Sequence, residues 1–135
     1  MKYFGTNTDS YWGGKINFVD ENDVFVGYDY SQNCCEDFGW FLSSKINDNH
    51  TSVDDHIATN DELVNTLLEG WIFDTTFFEE KQYGESNYSE EGLAIFRMTK
   101  GEHVMYLHLY NVHNGYYSHG FEFEGPGQVF KTGRL

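Results

Sequence analysis

The chain has 135 residues, with 22 Asp plus Glu against 8 Lys plus Arg, a formal net charge of −14, and 12 Phe, 10 Tyr and 3 Trp. That balance argues against direct nucleic-acid binding and against docking on an anionic membrane, because both depend on Lys and Arg. No apolar run approaches the ~18 residues of a membrane-crossing helix, and aromatic residues at 19% argue against disorder, so one domain spanning 1–135 is expected.

Met1-Lys2-Tyr3-Phe4 opens the sequence with neither an apolar signal core nor an Arg-rich transit segment, which suggests a cytoplasmic protein that starts here. Residues 15–19 and 24–30 read as a hairpin about the turn Asp20-Glu21-Asn22-Asp23. Val24, Val26, Tyr28 and Tyr30 form one apolar row, with Asp29 opposite. Cys34 and Cys35 are adjacent, and neighbouring Cα atoms lie about 3.8 Å apart, short of the usual disulfide span. Reduced thiols suit a cytoplasmic setting. No Cys-x-x-Cys or other zinc spacing accompanies them, so neither a metal nor a cofactor is expected.

Residues 38–42 read as a third strand, and the polar stretch 47–56 as a loop. Thr59-Asn60-Asp61-Glu62 has the capping-box pattern, and Leu63, Val64, Leu67 and Leu68 follow at helical spacing before Gly70. A short helix over 60–69 is therefore expected. Residues 71–80 read as a strand and 81–92 as polar loop. Residues 93–99, 103–112 and 116–124 read as a three-stranded meander, its second turn at Asn114-Gly115. The expected fold is α+β: an antiparallel sheet made of the N-terminal hairpin and the C-terminal meander, with one short helix.

A two-residue turn at Asn114-Gly115 places Tyr110 opposite His119 and His108 opposite Phe121. His108 and His119, with Tyr106, Tyr110 and Tyr117, then form an aromatic row able to hold a small ligand such as a nucleotide signal. A bland alternative makes both histidines hydrogen-bonded residues at the core edge. Negative charge disfavours an anionic ligand on this row, although Arg97 lies nearby in sequence. The other row, Met105, Leu107 and Leu109 with Ala94 and Phe96, is equally apolar, so the meander should be covered on both faces.

Acids are densest in the first half, where residues 1–70 hold 13 against 3 bases. Asp48, Asp54, Asp55, Asp61 and Glu62 fall within one short stretch. It lacks the mid-loop glycine and closing glutamate of an EF-hand, so each acid alone reads as solvated surface. Motifs for nucleophiles, phosphate loops and zinc proteases are absent, and no enzyme is expected. Self-repulsion at −14 points instead to a cationic partner, whose approach such a surface would accelerate. The expectation is an acidic inhibitor of a basic nuclease toxin or nucleic-acid-binding effector. Its contacts would be the five acids, with Tyr28, Tyr30 and Trp40 as aromatic anchors. A structural or virion accessory role has no distinguishing feature in the sequence.

Asn33-Cys34-Cys35-Glu36 and His113-Asn114-Gly115-Tyr116-Tyr117-Ser118 resemble a family of small uncharacterised domains of phage and bacterial genomes. Its members carry Asp/Asn-Cys-Cys-Glu after an early hairpin and Ser-Asn-Gly-Tyr-Tyr-Ser near the C-terminus. The resemblance runs from about residue 14 to 123. It departs around 47–56 and at His113, implies a small α+β domain in a mobile-element setting, and assigns no catalytic residue.

Overall fold

Alternation of apolar and polar side chains turns most of this chain into half-buried strands. The computed structural model describes residues 1–7, 14–31, 36–47, 56–59, 64–86, 89–113 and 118–135. Its strands are β1 (Lys2–Asn7), β2 (Gly14–Val19), β3 (Phe25–Asp29), β4 (Asp37–Ser43), β5 (His56–Thr59), β6 (Ile72–Phe73), β7 (Glu79–Ser86), β8 (Ser89–Lys100), β9 (His103–His113), β10 (Gly120–Gly125) and β11 (Gln128–Arg134). They form two antiparallel sheets. One has the order β1-β2-β3-β10-β11; the other has the order β5-β4-β9-β8-β6, with β7 also paired to β8.

Ile16, Phe18, Val26, Tyr28, Phe121 and Phe123 of the first sheet pack against Trp40, Leu42, Phe96, Met98, Leu107 and Leu109 of the second in one buried cluster. The result is a β-sandwich. The second sheet also buries part of its outer face, where Phe41, Leu93, Ile95 and Tyr110 pack with Phe77 and Tyr106. Both rows of β9 are therefore covered, as its sequence required.

The N-terminal hairpin forms as expected, with Val19 opposite Phe25 and Asp23 at a φ of 59°. Asp20 fixes the turn from inside: its carboxylate accepts the amides of Asn22 (2.9 Å), Val24 (3.0 Å) and, from the other sheet, Phe73 (2.9 Å).

The α+β expectation is overturned, because no helix exists among the described residues. Thr59, read as a helix cap, instead pairs with Phe41 in β5. Asn60 to Leu63 lie outside the described residues, and 64–70 form turns, with one α-type bond from the Leu68 amide to the Val64 carbonyl (2.9 Å). A helix this short is marginal alone. Here tertiary partners take over: Val64 and Leu68 are buried, the Met1 nitrogen donates to the Leu68 carbonyl, and Asn65 binds β1. Gly70 does take the left-handed conformation its position suggested, at φ 82°.

The meander is half right. β8 and β9 form a hairpin about Gly101-Glu102, with Lys100 opposite His103, and Ala94 and Phe96 share a face with Met105, Leu107 and Leu109 as expected. β9 and β10 do not pair: β9 lies between β4 and β8, whereas β10 joins β3 and β11 in the other sheet. Asn114-Gly115 lies outside the described residues, and because β9 and β10 belong to different sheets the proposed Tyr110–His119 and His108–Phe121 pairs do not occur. The 71–80 strand is a two-residue β6 followed by a turn, and of the polar 81–92 stretch residues 81–86 lie in β7 and 89–92 in β8. β7 is an edge strand, which needs little apolar sequence, and polarity misled there.

Candidate functional site

The most specific arrangement lies where β3 ends and β4 and β10 begin. His119 and Glu36, 83 positions apart, meet with Nε2 3.0 Å from Oε1, both side chains at 0% exposure. Nδ1 of His119 lies 2.8 Å from the Asp29 carbonyl, which can only accept, so Nδ1 carries a proton. The Nε2–Oε1 contact then holds one further proton between imidazole and carboxylate.

Phe38 stacks on the His119 ring at 4.1 Å, and Tyr28 meets its edge at 6.0 Å. The His119 and Leu135 backbones exchange two hydrogen bonds of 2.8 Å, and Asn111 Nδ2 donates to the Leu135 carbonyl at 3.0 Å. Gly92 makes room for this, because a Cβ there would lie 3.1 Å from Leu135. Arg134 reaches Ser118 through both Nε and its terminal nitrogen, at 3.0 and 3.1 Å. An imidazole oriented by a carboxylate is the form of a general base, but here the other ring nitrogen is bound to a carbonyl and the ring is sealed. The pair fixes chain positions; it does not present a lone pair to substrate.

His108 belongs to a different environment, on the outer face of the second sheet. Its ring stacks on Phe41 at 4.2 Å, His56 stacks on Phe41 at 4.0 Å, and the Asn47 amide donates to His108 Nε2 at 3.0 Å. Tyr106 and Tyr110 share this face, Tyr117 lies outside the described residues, and His119 sits between the sheets. The expected aromatic–histidine row is thus not assembled. Arg97 is committed to Asp74, with contacts of 2.9 and 2.6 Å to one oxygen, and lies 4.7 Å from the centre of the Phe77 ring. Thr76 hydrogen bonds, with help from Arg97, hold the Asp74 carboxyl down at about 2.

Of the expected anchors, Tyr28 and Trp40 are fully buried in the core and cannot touch a partner. Trp40 Nε1 donates to the Tyr3 hydroxyl at 3.3 Å, and the Tyr28 hydroxyl donates to the Tyr110 carbonyl at 2.8 Å; burial pushes the Tyr28 phenol well above its ordinary range. These large aromatics read as anchors from composition but serve as core. Tyr30 remains half-buried, 4.8 Å from Phe38. Asp48, Asp54, Asp55, Asp61 and Glu62 lie outside the described residues, as do Cys34 and Cys35. Glu36 and Asp20 are the functional-looking carboxylates missed in the sequence; burial, their distinguishing property, has no local signature.

Among the described residues no group of three His, Cys, Asp or Glu side chains is placed to hold a metal, and no helix is long and apolar enough to cross a membrane. Fold and site together define an all-β sandwich in which the buried Asp20, Glu36 and His119 side chains tie its own strands together. Residues 9–123 match the family described as a domain of unknown function (DUF7448), and the chain belongs to that family. No curated protein and no solved structure matches it.

Proposed function

We propose that this protein is a non-enzymatic acidic binding protein that occupies a cationic surface on a macromolecular partner, a nuclease toxin or another nucleic-acid-acting effector. The observation that carries the reading is the net charge of −14 on so small a sandwich. Among the acids whose burial is described, only Asp20 and Glu36 are buried. Several bases are meanwhile engaged internally: Lys15 pairs with Glu122, Arg97 with Asp74 and Arg134 with Ser118. A surface of this sign speeds encounter with a positive cleft by ~10–10³. A cytoplasmic phage or mobile-element setting would supply such partners and keep Cys34 and Cys35 reduced.

The test is association with a panel of cationic nuclease domains and nucleic-acid-binding effectors, followed from about 0.01 M to about 0.5 M salt, over which screening shortens from ~30 Å to a few ångströms. At least one partner should bind, with an association rate that falls tenfold or more. Binding to none, or an affinity flat in salt, would refute the reading.

A further inference from the structure

We infer that the outer face of the first sheet is a self-complementary interface, through which two copies of this chain pack face to face about a two-fold axis. The inference stands on strand register and charge, and it does not depend on the cationic partner.

Strand pairing places Lys2, Val19, Phe25, Glu124 and Val129 in one row across β1, β2, β3, β10 and β11. Their neighbours along the strands, Phe18, Val26 and Phe123, point into the core, so this row points outward. The next outward row begins with Phe4 and Asn17 and passes through Gly27 and Glu122. Its centre is low: Gly27 has no side chain, and the Glu122 carboxylate lies over it toward Lys15, since a Cβ on Gly27 would be 2.8 Å from Glu122 Oε1.

The face is apolar where it stands highest. Phe4 and Val129 are 43% and 60% exposed, and Val19 and Phe25 belong to neither buried cluster. The second sheet, by contrast, buries Phe41, Leu93 and Ile95 on its own outer face. Contiguous exposed apolar side chains of this kind mark a contact surface.

Charge identifies the occupant. This face carries three bases, Lys2, Lys15 and Arg134, and three acids, Asp29, Glu122 and Glu124, so it is neutral on a chain of net −14. A second copy, repelled by the chain as a whole, meets no net repulsion here. Lys2 and Lys15 stand on β1 and β2, whereas all three acids stand on β3 and β10. A two-fold axis running along the strands between β2 and β3 therefore sets Lys2 over Glu124 of the second copy, Lys15 over its Asp29 and Val19 over its Phe25. Each contact is made twice. Lys2 and Glu124 have no ionic partner among the described residues of their own chain. Facing sheets lie ~10 Å apart, a gap that a Lys and a Glu can bridge. Four overlapping strands ~4.8 Å apart and ~20 Å long give ~400 Å² of flat face per copy, the low end for a specific contact, which fits a weak dimer.

Sedimentation velocity of the full chain at about 0.15 M salt is the test, because a screening length of ~8 Å damps repulsion between whole chains more than contact pairs. The chain should pass from monomer to dimer between ~1 and ~500 μM. Lys2→Glu and Glu124→Lys should each weaken the dimer about tenfold or more, since each sets like charges together twice. An equimolar mixture of the two variants restores opposite charges at both positions and should form a heterodimer of parental affinity. Phe25→Thr should also weaken the dimer about tenfold. A parent that stays monomeric, a dimer indifferent to both charge reversals, or a mixture that associates no better than either variant alone would overturn the inference. Circular dichroism checks that the variants fold. Should one unfold, the NMR signals of the Val19 methyls and the Phe25 ring in the parent decide: they should shift with concentration, and unchanged signals would overturn the interface.

Discussion

Replacing Glu36 by Ala should be among the most damaging single changes, because it strands a sealed polar ring. In the parent both ring nitrogens of His119 have hydrogen-bond partners, at 2.8 and 3.0 Å, and both side chains are at 0% exposure. Removing one member of such a pair costs about 3–5 kcal/mol, most of it the desolvation of the partner left behind. For 135 residues, ~4 kcal/mol corresponds to roughly 14 °C in Tm, or about 2 M in the urea midpoint at a typical slope near 2 kcal/mol/M. Glu36→Gln separates charge from hydrogen bonding. With Nδ1 protonated toward Asp29, a neutral ring leaves Nε2 as an acceptor, and the Gln amide can donate to it, so the loss should be about 1 kcal/mol. The double variant Glu36→Leu/His119→Phe leaves no unpaired polar side chain and should be more stable than Glu36→Ala. Urea unfolding of the four proteins at constant slope is the assay. A loss below ~1 kcal/mol in Glu36→Ala, or equal losses in the Ala and Gln variants, would show that the pair is not a sealed, mutually dependent unit.

Tyr28→Phe should lose about 1 kcal/mol by removing the buried hydrogen bond to the Tyr110 carbonyl, measured by chemical unfolding; and in an absorbance titration of the parent, one tyrosine should resist ionisation past the ordinary value near 10. Asp20→Ala should lose about 3 kcal/mol and speed exchange at the Val24 and Phe73 amides, whereas unchanged exchange at Phe73 would deny that this carboxylate joins the sheets. The Asp74 carboxyl should titrate near 2 by NMR and rise toward 3.8 in Thr76→Ala. Because its folded value is depressed, its contribution to stability is present above the unfolded value and is lost as pH falls through about 2. A midpoint unaffected by Thr76→Ala would reject the hydrogen-bond origin of the shift.

What could be read in advance was whatever local periodicity controls. The β2–β3 hairpin, the faces of β8 and β9, and the left-handed Gly70 all follow from spacing of two residues or from the conformational freedom of glycine. Partners distant along the chain were illegible. Asn-Gly after β9 carries the usual hairpin signal, yet β4 and β3, more than about 60 positions earlier, compete for β9 and β10 and win. The same competition undid the candidate site, placing His108 against Phe41 and His119 against Glu36. For 60–69, an apolar spacing suited to a helix proved equally suited to one turn wedged beneath β1.

The placement of β10 between β3 and β11 also sets the order in which the molecule can be finished. Tyr28 must wait for Tyr110, 82 positions downstream, and Asp29 for His119, 90 downstream, so a chain emerging from the ribosome holds β3 with one side bare until β10 has been made. High contact order of this kind puts folding in the millisecond-to-second range, and nascent chains should rely on chaperones to shield that bare side.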